Sequence, residues 1–399
     1  MKVMHFFRKG EEDTFFIKVH NQNAYFIKEV LMKHFYRIML PALLLALCLP
    51  VAALSKPIKD ALGNKPEISA EVKRVICSGP GCLRLLVYLH AQDRAVAVDD
   101  METRRSNFDA RPYALANPQF KKLPTFGEFR GHDNPELILT LEPQPQLIFK
   151  TYAGMGMNPK TLQQKTGIPV LPLEYGNLGK GRDKFFTSLR TMGAVLGRKQ
   201  RAEEVMAFFQ ETIADLVRRT AGIPEEAQPR VYIGGVAMKG PHGFHSTEPT
   251  YPPFGFLHAR NLASSAVVDG KELRHADIAK EMIVEWDPDV LFLDLSTLQM
   301  GDNAGGLHEL RTDPAYRTLT AVKKGLVYGV LPYNWYTTNY GSVLANAYFI
   351  GKILYPERFA DIDPVAKTDD IYTFLVGKPV FSKMNDLFQG LVFSPLSMQ

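Results

Sequence analysis

Between Arg201 and Thr220 the chain runs without a proline or a glycine, and Val205, Phe208, Phe209, Ile213, Leu216 and Val217 fall on one helical face. Gly222 and Pro224 supply the stop. At 1.5 Å per residue such a helix spans about 30 Å, the width of a small domain. Whatever precedes it and whatever follows it are therefore set apart by a rod.

Both flanks carry the same rhythm. Before the rod, 74–78 (RVICS), 95–98 (AVAV), 146–150 (QLIFK) and 169–173 (PVLPL) read as strands, with helices expected at 80–90, 135–141 and 159–167. After it, 230–236 (RVYIGGV), 290–294 (VLFLD) and 326–330 (LVYGV) read as strands, with helices at 276–285 and 339–354. Strands alternating with helices predict mostly parallel sheets covered on both faces. The 399 residues exceed one average domain. A single doubly wound sheet using the rod as one crossover would also fit the rhythm. The rod's length and the symmetry of its flanks favour an α/β fold of two Rossmann-like lobes bridged by one long α-helix. We expect lobes over 70–183 and 228–358, a helical segment over 184–224 that contains the bridge, and a helical tail over 359–399. Pro224-Glu225-Glu226-Ala227-Gln228-Pro229 marks the boundary before the second lobe.

The N-terminus carries an address. Met32-Lys33-His34-Phe35-Tyr36-Arg37 is a short basic start, followed by the apolar run 38–49 and then Pro50-Val51-Ala52-Ala53. This is the build of a secretory signal over 32–53, and the apolar run is shorter than the roughly 20 residues a spanning helix needs. Residues 1–31 read as an upstream extension, with translation expected to begin at Met32. Leu47 ahead of Cys48 is too bulky for the usual lipoprotein cleavage site, so a lipid anchor is the weaker option. Export leaves Cys77 and Cys82, which permit one disulfide if the loop between them curls back. Lys and Arg are scattered through a chain of net charge +5, which gives no sign of a nucleic-acid partner.

Several segments together resemble the periplasmic substrate-binding proteins of ABC importers for ferric siderophores, haem and cobalamin. Arg74-Val75-Ile76-Cys77-Ser78-Gly79-Pro80-Gly81 is similar to that family's first strand and loop. The segments 134–143 (NPELILTLEP) leading into Leu147-Ile148-Phe149, and 278–293 (IAKEMIVEWDPDVLFL), resemble its matched segments in the two lobes. Residues 166–170 (TGIPV) and 319–328 (LTAVKKGLVY) match further landmarks. The resemblance runs from about residue 70 to about 355. The two extra residues near Gln144-Pro145-Gln146 and the tail over 361–399 depart from it.

The resemblance implies the class III periplasmic binding protein architecture, a monomer without a cofactor, and an iron chelate gripped between the lobes. Ferric siderophore leads, with haem, cobalamin or a directly ligated metal ion behind it. It further implies an ABC permease and its ATPase as partners, a periplasmic location, and permease docking through Glu136 and Glu281, one acid per lobe. A bridging helix that resists bending implies that the lobes close on their ligand by only a few degrees.

Ligands of open α/β sheets gather beyond the carboxyl ends of the strands. The loops expected there offer Ser78 and Pro80, Tyr152, Tyr175, His242, His245, Tyr251, Tyr333, Trp335 and Tyr336. Flat aromatic walls with a few donors suit a partly apolar chelate. Arg130 is the candidate fork for carboxylate or catecholate oxygens. His242 and His245 form an H-x-x-H pair that can ligate a metal, touch a bound chelate or serve the loop alone, and a zinc site would need further ligands. A Cys82–His245 hydrolase is the rival from another class. No third orienting group can be identified, and the chain has neither a phosphate-cradling G-x-x-x-x-G-K-[ST] run nor a full dinucleotide fingerprint, so we expect no enzyme.

Overall fold

The computed structural model describes Ile68 and residues 71–398 apart from Arg105, Ala266, Asp269 and Gly270. The expected signal at 32–53 and the residues ahead of it lie outside the described residues.

Two separate parallel sheets form from the β-rich runs. In the first, β1 (Val75–Ser78), β2 (Leu147–Thr151) and β3 (Val170–Leu173) lie in the order β1-β2-β3, with Val75 opposite Leu147 and Ile148 opposite Val170. Among the short helices that accompany it are α1 (Cys82–Tyr88), α2 (Pro112–Ala116), α3 (Pro135–Thr140) and α4 (Pro159–Thr166). Asn134 and Asn158 cap α3 and α4 by accepting the amides two and three residues on, and proline opens each helix. The run expected as a strand at 95–98 forms only isolated bridges, Val75 to Ala95 and Val98 to Thr125.

The chain then enters α5 (Arg182–Val195) and the bridge α6 (Lys199–Thr220), two residues longer at its start than the periodicity predicts. The buried stripe of α6 is Ala202, Val205, Met206, Phe209, Thr212, Ile213, Leu216 and Thr220. Phe208 lies half-buried and Val217 exposed, so the helix is turned slightly from the face that apolar spacing suggests. Beyond it, β4 (Arg230–Gly234), β5 (Arg260–Asn261), β6 (Val290–Asp294) and β7 (Val327–Val330) form the second sheet in the order β7-β6-β4-β5. Its strands are parallel throughout. The helix α7 (Lys280–Trp286) leads into β6, and α8 (Tyr340–Leu354) follows β7.

Alternation along the strands builds three apolar layers. Val75, Leu147 and Phe149 of the first sheet and Val231, Ile233, Phe292 and Val330 of the second belong to one core that also contains Phe209 and Leu216 of the bridge. The opposite faces pack separately: Ile76, Ile148 and Val170 in one lobe, Tyr232, Leu291 and Leu293 in the other. A shared core behind the sheets couples the lobes through packed side chains as well as through the chain connection.

The tail strengthens that coupling. It forms α9 (Pro364–Val376) and α10 (Phe381–Leu387), and α9 packs on α1 and α2 of the first lobe and on α8 of the second. Arg201 of the bridge donates to the Phe374 carbonyl and lies 4.2 Å from its ring centroid. Arg219 at the other end of the bridge pairs with Asp361 at 2.6 Å. The last residues run along β7, where the Phe393 amide donates to Gly329 O (2.9 Å) and the Leu396 amide to Val327 O (2.8 Å).

Candidate functional site: the cleft between the lobes

The carboxyl ends of both sheets carry the loops that meet between the lobes, and one buried cation organises the first-lobe side. The Lys150 ammonium, wholly buried at the end of β2, donates to Asp133 Oδ2 (2.6 Å), Ser78 Oγ (3.0 Å) and Gly131 O (3.1 Å). The three acceptors match the three N–H donors of the side chain, as burial of so polar a group requires. It fixes the loop after β1 and the 127–133 hairpin relative to each other. Ser78 thus uses its hydroxyl inside the protein, and Pro80 is also buried, its carbonyl accepting from Thr151 Oγ1 at 2.9 Å. These two residues belong to the scaffold of the cleft rather than to its surface.

The 332–339 loop of the second lobe seats itself on the first. Arg84, an arginine in the otherwise apolar α1 and 1% exposed, donates to Tyr175 Oη, to Thr338 O (2.8 Å), and at longer range to Trp335 O and Tyr336 O. Tyr175 in turn donates to Thr338 O (2.7 Å), and its ring stacks between Tyr152 (5.8 Å) and Tyr340 (5.0 Å). Gly81 makes that seat possible: its φ is +75°, and a Cβ there would run into the Tyr175 ring. Tyr336 reaches between Asp99 and Arg130, donating to Asp99 Oδ2 (2.5 Å) and accepting the Arg130 amide (3.1 Å). Burial first, and then the neighbouring Glu102 charge, push Asp99 up to about 7 in spite of the Tyr336 hydrogen bond and Arg111. Trp335 is half-buried, with its ring edge-on to Phe388 of the tail.

Backbone strain gathers at this seam. Arg130 (φ 62°), Tyr152 (φ 52°), Tyr336 (φ 49°) and Thr337 (φ 63°) are all left-handed without being glycine. They meet in pairs, Arg130 with Tyr336 and Tyr152 Oη with Thr337 Oγ1 at 2.7 Å. Such residues cost on the order of 1–3 kcal/mol each and persist where their surroundings fix them. The lobes are in contact here by design of the loop, not by incidental packing.

On the second-lobe side several aromatic candidates turn inward. Tyr251 is 1% exposed, with Asn346 Nδ2 donating to its hydroxyl at 3.2 Å. Tyr333 is 3% exposed and donates to Glu248. Both are core residues, because a phenol carries enough apolar ring to pay for burial once its hydroxyl has a partner. Glu248 and Asp294 are each pushed up to about 7, burial being the first cause in both. Arg274, in the segment ahead of α7, is a charged residue that the sequence reading did not single out. It is exposed, and its positive charge acts on Glu248 of its own lobe and on Tyr152 of the other. It makes no hydrogen bond or ion pair among the described residues.

The H-x-x-H loop lies to one side. His242 sits 2.8 Å from Met238 O through Nε2, and His245 is 3.7 Å from Asp277. His275 joins them, 3.8 Å from the same carboxylate and 5.6 Å from the His242 ring. Burial, aided by His242 and His245 and opposed by Asp277, holds His275 below its ordinary value. Among the described residues no group of three or more His, Cys, Asp or Glu is placed to hold a metal ion. His245 and Asp277 instead form one wall of a cavity of about 560 Å³, which Lys280, Glu309, Asp313 and Tyr316 complete. Glu281 stands next to it in sequence, and both Glu281 and Glu136 are exposed.

Cys77 and Cys82 are buried free thiols, so the disulfide that their spacing permits is not formed. Burial and then the neighbouring Cys77 push the Cys82 thiol well above its ordinary value, the reverse of what a nucleophile needs. The hydrolase alternative loses its physical basis.

The sequence matches the family model described as periplasmic binding protein over residues 75–332, more than half of the chain. The chain belongs to the periplasmic binding proteins. No curated protein sequence matches it. Solved structures share the fold of this binding protein at low identity. One is the molybdate periplasmic binding protein MolA of Haemophilus influenzae, with 19% identity, TM-score 0.61, and coverage of 81% of this chain and 98% of that one. A periplasmic solute binding protein of Veillonella parvula gives 15%, 0.64, 85% and 98%. CeuE of Helicobacter pylori, solved with Ni(II) bound, gives 18%, 0.53, 84% and 99%. The binding protein therefore has the class III architecture of two α/β lobes and a long connecting helix. Its family works outside the cytoplasm as receptors for ABC importers, with permease and ATPase subunits as partners, and holds ligands rather than transforming them.

Proposed function

We propose that this binding protein captures an anionic iron chelate of the siderophore class and delivers it to its permease. Arg274 is the observation that carries the reading: an exposed guanidinium without a protein hydrogen-bond partner, electrostatically linked to Tyr152 across the seam. A guanidinium fork fits catecholate, hydroxamate or carboxylate oxygens. The loops after β2, β4 and β6 add the exposed Met155, Met238 and Met300, adaptable apolar side chains that suit an organic ligand body better than a bare oxyanion. Glu136 and Glu281 are proposed as the docking acids, because both are exposed and neither makes an ion pair among the described residues. The binding protein is proposed to be exported by the signal at 32–53 and to work as a monomer.

Mass spectrometry and elemental analysis of ligand released from protein purified from its native host test the cargo. The expected result is iron with an acidic organic chelator. With that chelate as titrant, Arg274→Gln should weaken binding by about ten- to a hundredfold, as expected for one charged hydrogen-bonding group. Metal-free or cationic cargo, or unchanged affinity in the variant, would overturn the assignment.

A further inference from the structure

Each docking glutamate opens a short pattern that recurs in the two lobes. In α3 the order is Glu136, Leu137, Ile138, and in α7 it is Glu281, Met282, Ile283. Each helix leads into an inner strand of its own sheet, β2 or β6. The isoleucine is wholly buried in both, Ile138 beside Ile148 and Val170, Ile283 beside Leu291 and Leu293. Each isoleucine thereby pins its helix to the outer face of its sheet and fixes which way its neighbours point. The glutamate and the apolar side chain after it are both left in solvent, with Leu137 42% and Met282 43% exposed. A lone exposed leucine needs no explanation. An acid followed by an exposed apolar side chain, set over a buried isoleucine at one register in both lobes, does need one.

We propose that each lobe meets the permease through an acid–apolar couplet, Glu136 with Leu137 and Glu281 with Met282. The partner of each couplet is a basic side chain of the permease bordered by an apolar depression. This rests on the docking reading given above and adds to it the part of the contact that salt does not screen. Charge complementarity governs encounter and register, whereas buried apolar area sets how long the complex lasts. The second lobe offers further room for a basic group. Its couplet adjoins the 560 Å³ cavity, whose wall carries Asp277, Glu309 and Asp313 against the single ammonium of Lys280, itself held by Asp313 at 2.6 Å.

The test measures binding of the full receptor to its own permease–ATPase complex in nanodiscs at low and high salt. The variants are Leu137→Gln with Met282→Gln, Glu136→Ala with Glu281→Ala, and the conservative Leu137→Met with Met282→Leu. The glutamine pair should lose roughly ten- to a hundredfold in affinity at both salt concentrations while keeping the wild-type salt slope. The alanine pair should lose most at low salt and flatten the slope. The conservative pair should bind like wild type, and equal melting temperatures would show that all three variants are folded. Wild-type binding by the glutamine pair beside a weakened alanine pair would sink the couplet and leave the docking reading standing. Wild-type binding by the alanine pair would sink both.

Discussion

Asp294 gives this receptor an unusual relation between pH and stability. It ends β6 at 1% exposure, with Oδ1 accepting the Ser296 amide at 2.9 Å and Oδ2 without a protein partner. Burial outweighs the Ser296 hydrogen bonds and raises it from 3.8 to about 7. A carboxyl whose folded value exceeds its unfolded one stabilises the fold fully below the unfolded value, and that contribution is lost as pH rises through the folded one. At 1.36 kcal/mol per pH unit the loss is roughly 4 kcal/mol in all, of which about 2–3 kcal/mol falls between pH 5 and pH 8. Asp99 and Glu248, also held at about 7, act in the same direction. His90 and His275, held below 6.5, act in the opposite direction below pH 6.5. The comparison to make is therefore between wild type and Asp294→Asn, in which the other groups cancel. Urea unfolding at pH 5 and pH 8 should show the variant's stability falling by about 2–3 kcal/mol less than that of wild type across the interval. Parallel curves for the two proteins would refute the reasoning, because they would mean that Asp294 is already ionised at pH 5.

Tyr336→Phe removes the hydroxyl shared by Asp99 and Arg130 and should cost about 1–3 kcal/mol. The Arg130 amide should then exchange hydrogen faster, and an unchanged exchange rate would show that this contact does not hold the lobes together. Lys150→Met strands the buried Asp133 carboxylate and should cost about 3–5 kcal/mol in a denaturant melt, most of which should return when Asp133→Leu is added. Gly81→Ala, forced into the Tyr175 ring at positive φ, should lower the melting temperature and disturb Tyr175, read as a change in near-ultraviolet circular dichroism. Small-angle scattering should show only slight compaction when the native ligand is added, given the common core and the tail that spans both lobes.

The rod, the two sheets and most strand limits were legible in the amino-acid order because they depend on periodicity. Val290–Asp294 reads as a buried parallel strand from its five residues alone, and a helix of 22 residues announces itself by its stripe. The site was legible only as a set of loops. Tyr251 and Tyr336 sit on such loops and look equally available, yet one phenol is buried against Asn346 and the other latches onto the opposite lobe. Arg84 left one trace, a charge inside an apolar helix, whereas Arg274 left none. Local propensity and spacing are properties of a segment, so sequence carries them to the reader directly. Whether a ring or a charge ends in the core, at the seam or in the gap depends on partners such as Thr338, 163 residues beyond Tyr175. Only the packed chain brings those partners within hydrogen-bonding distance.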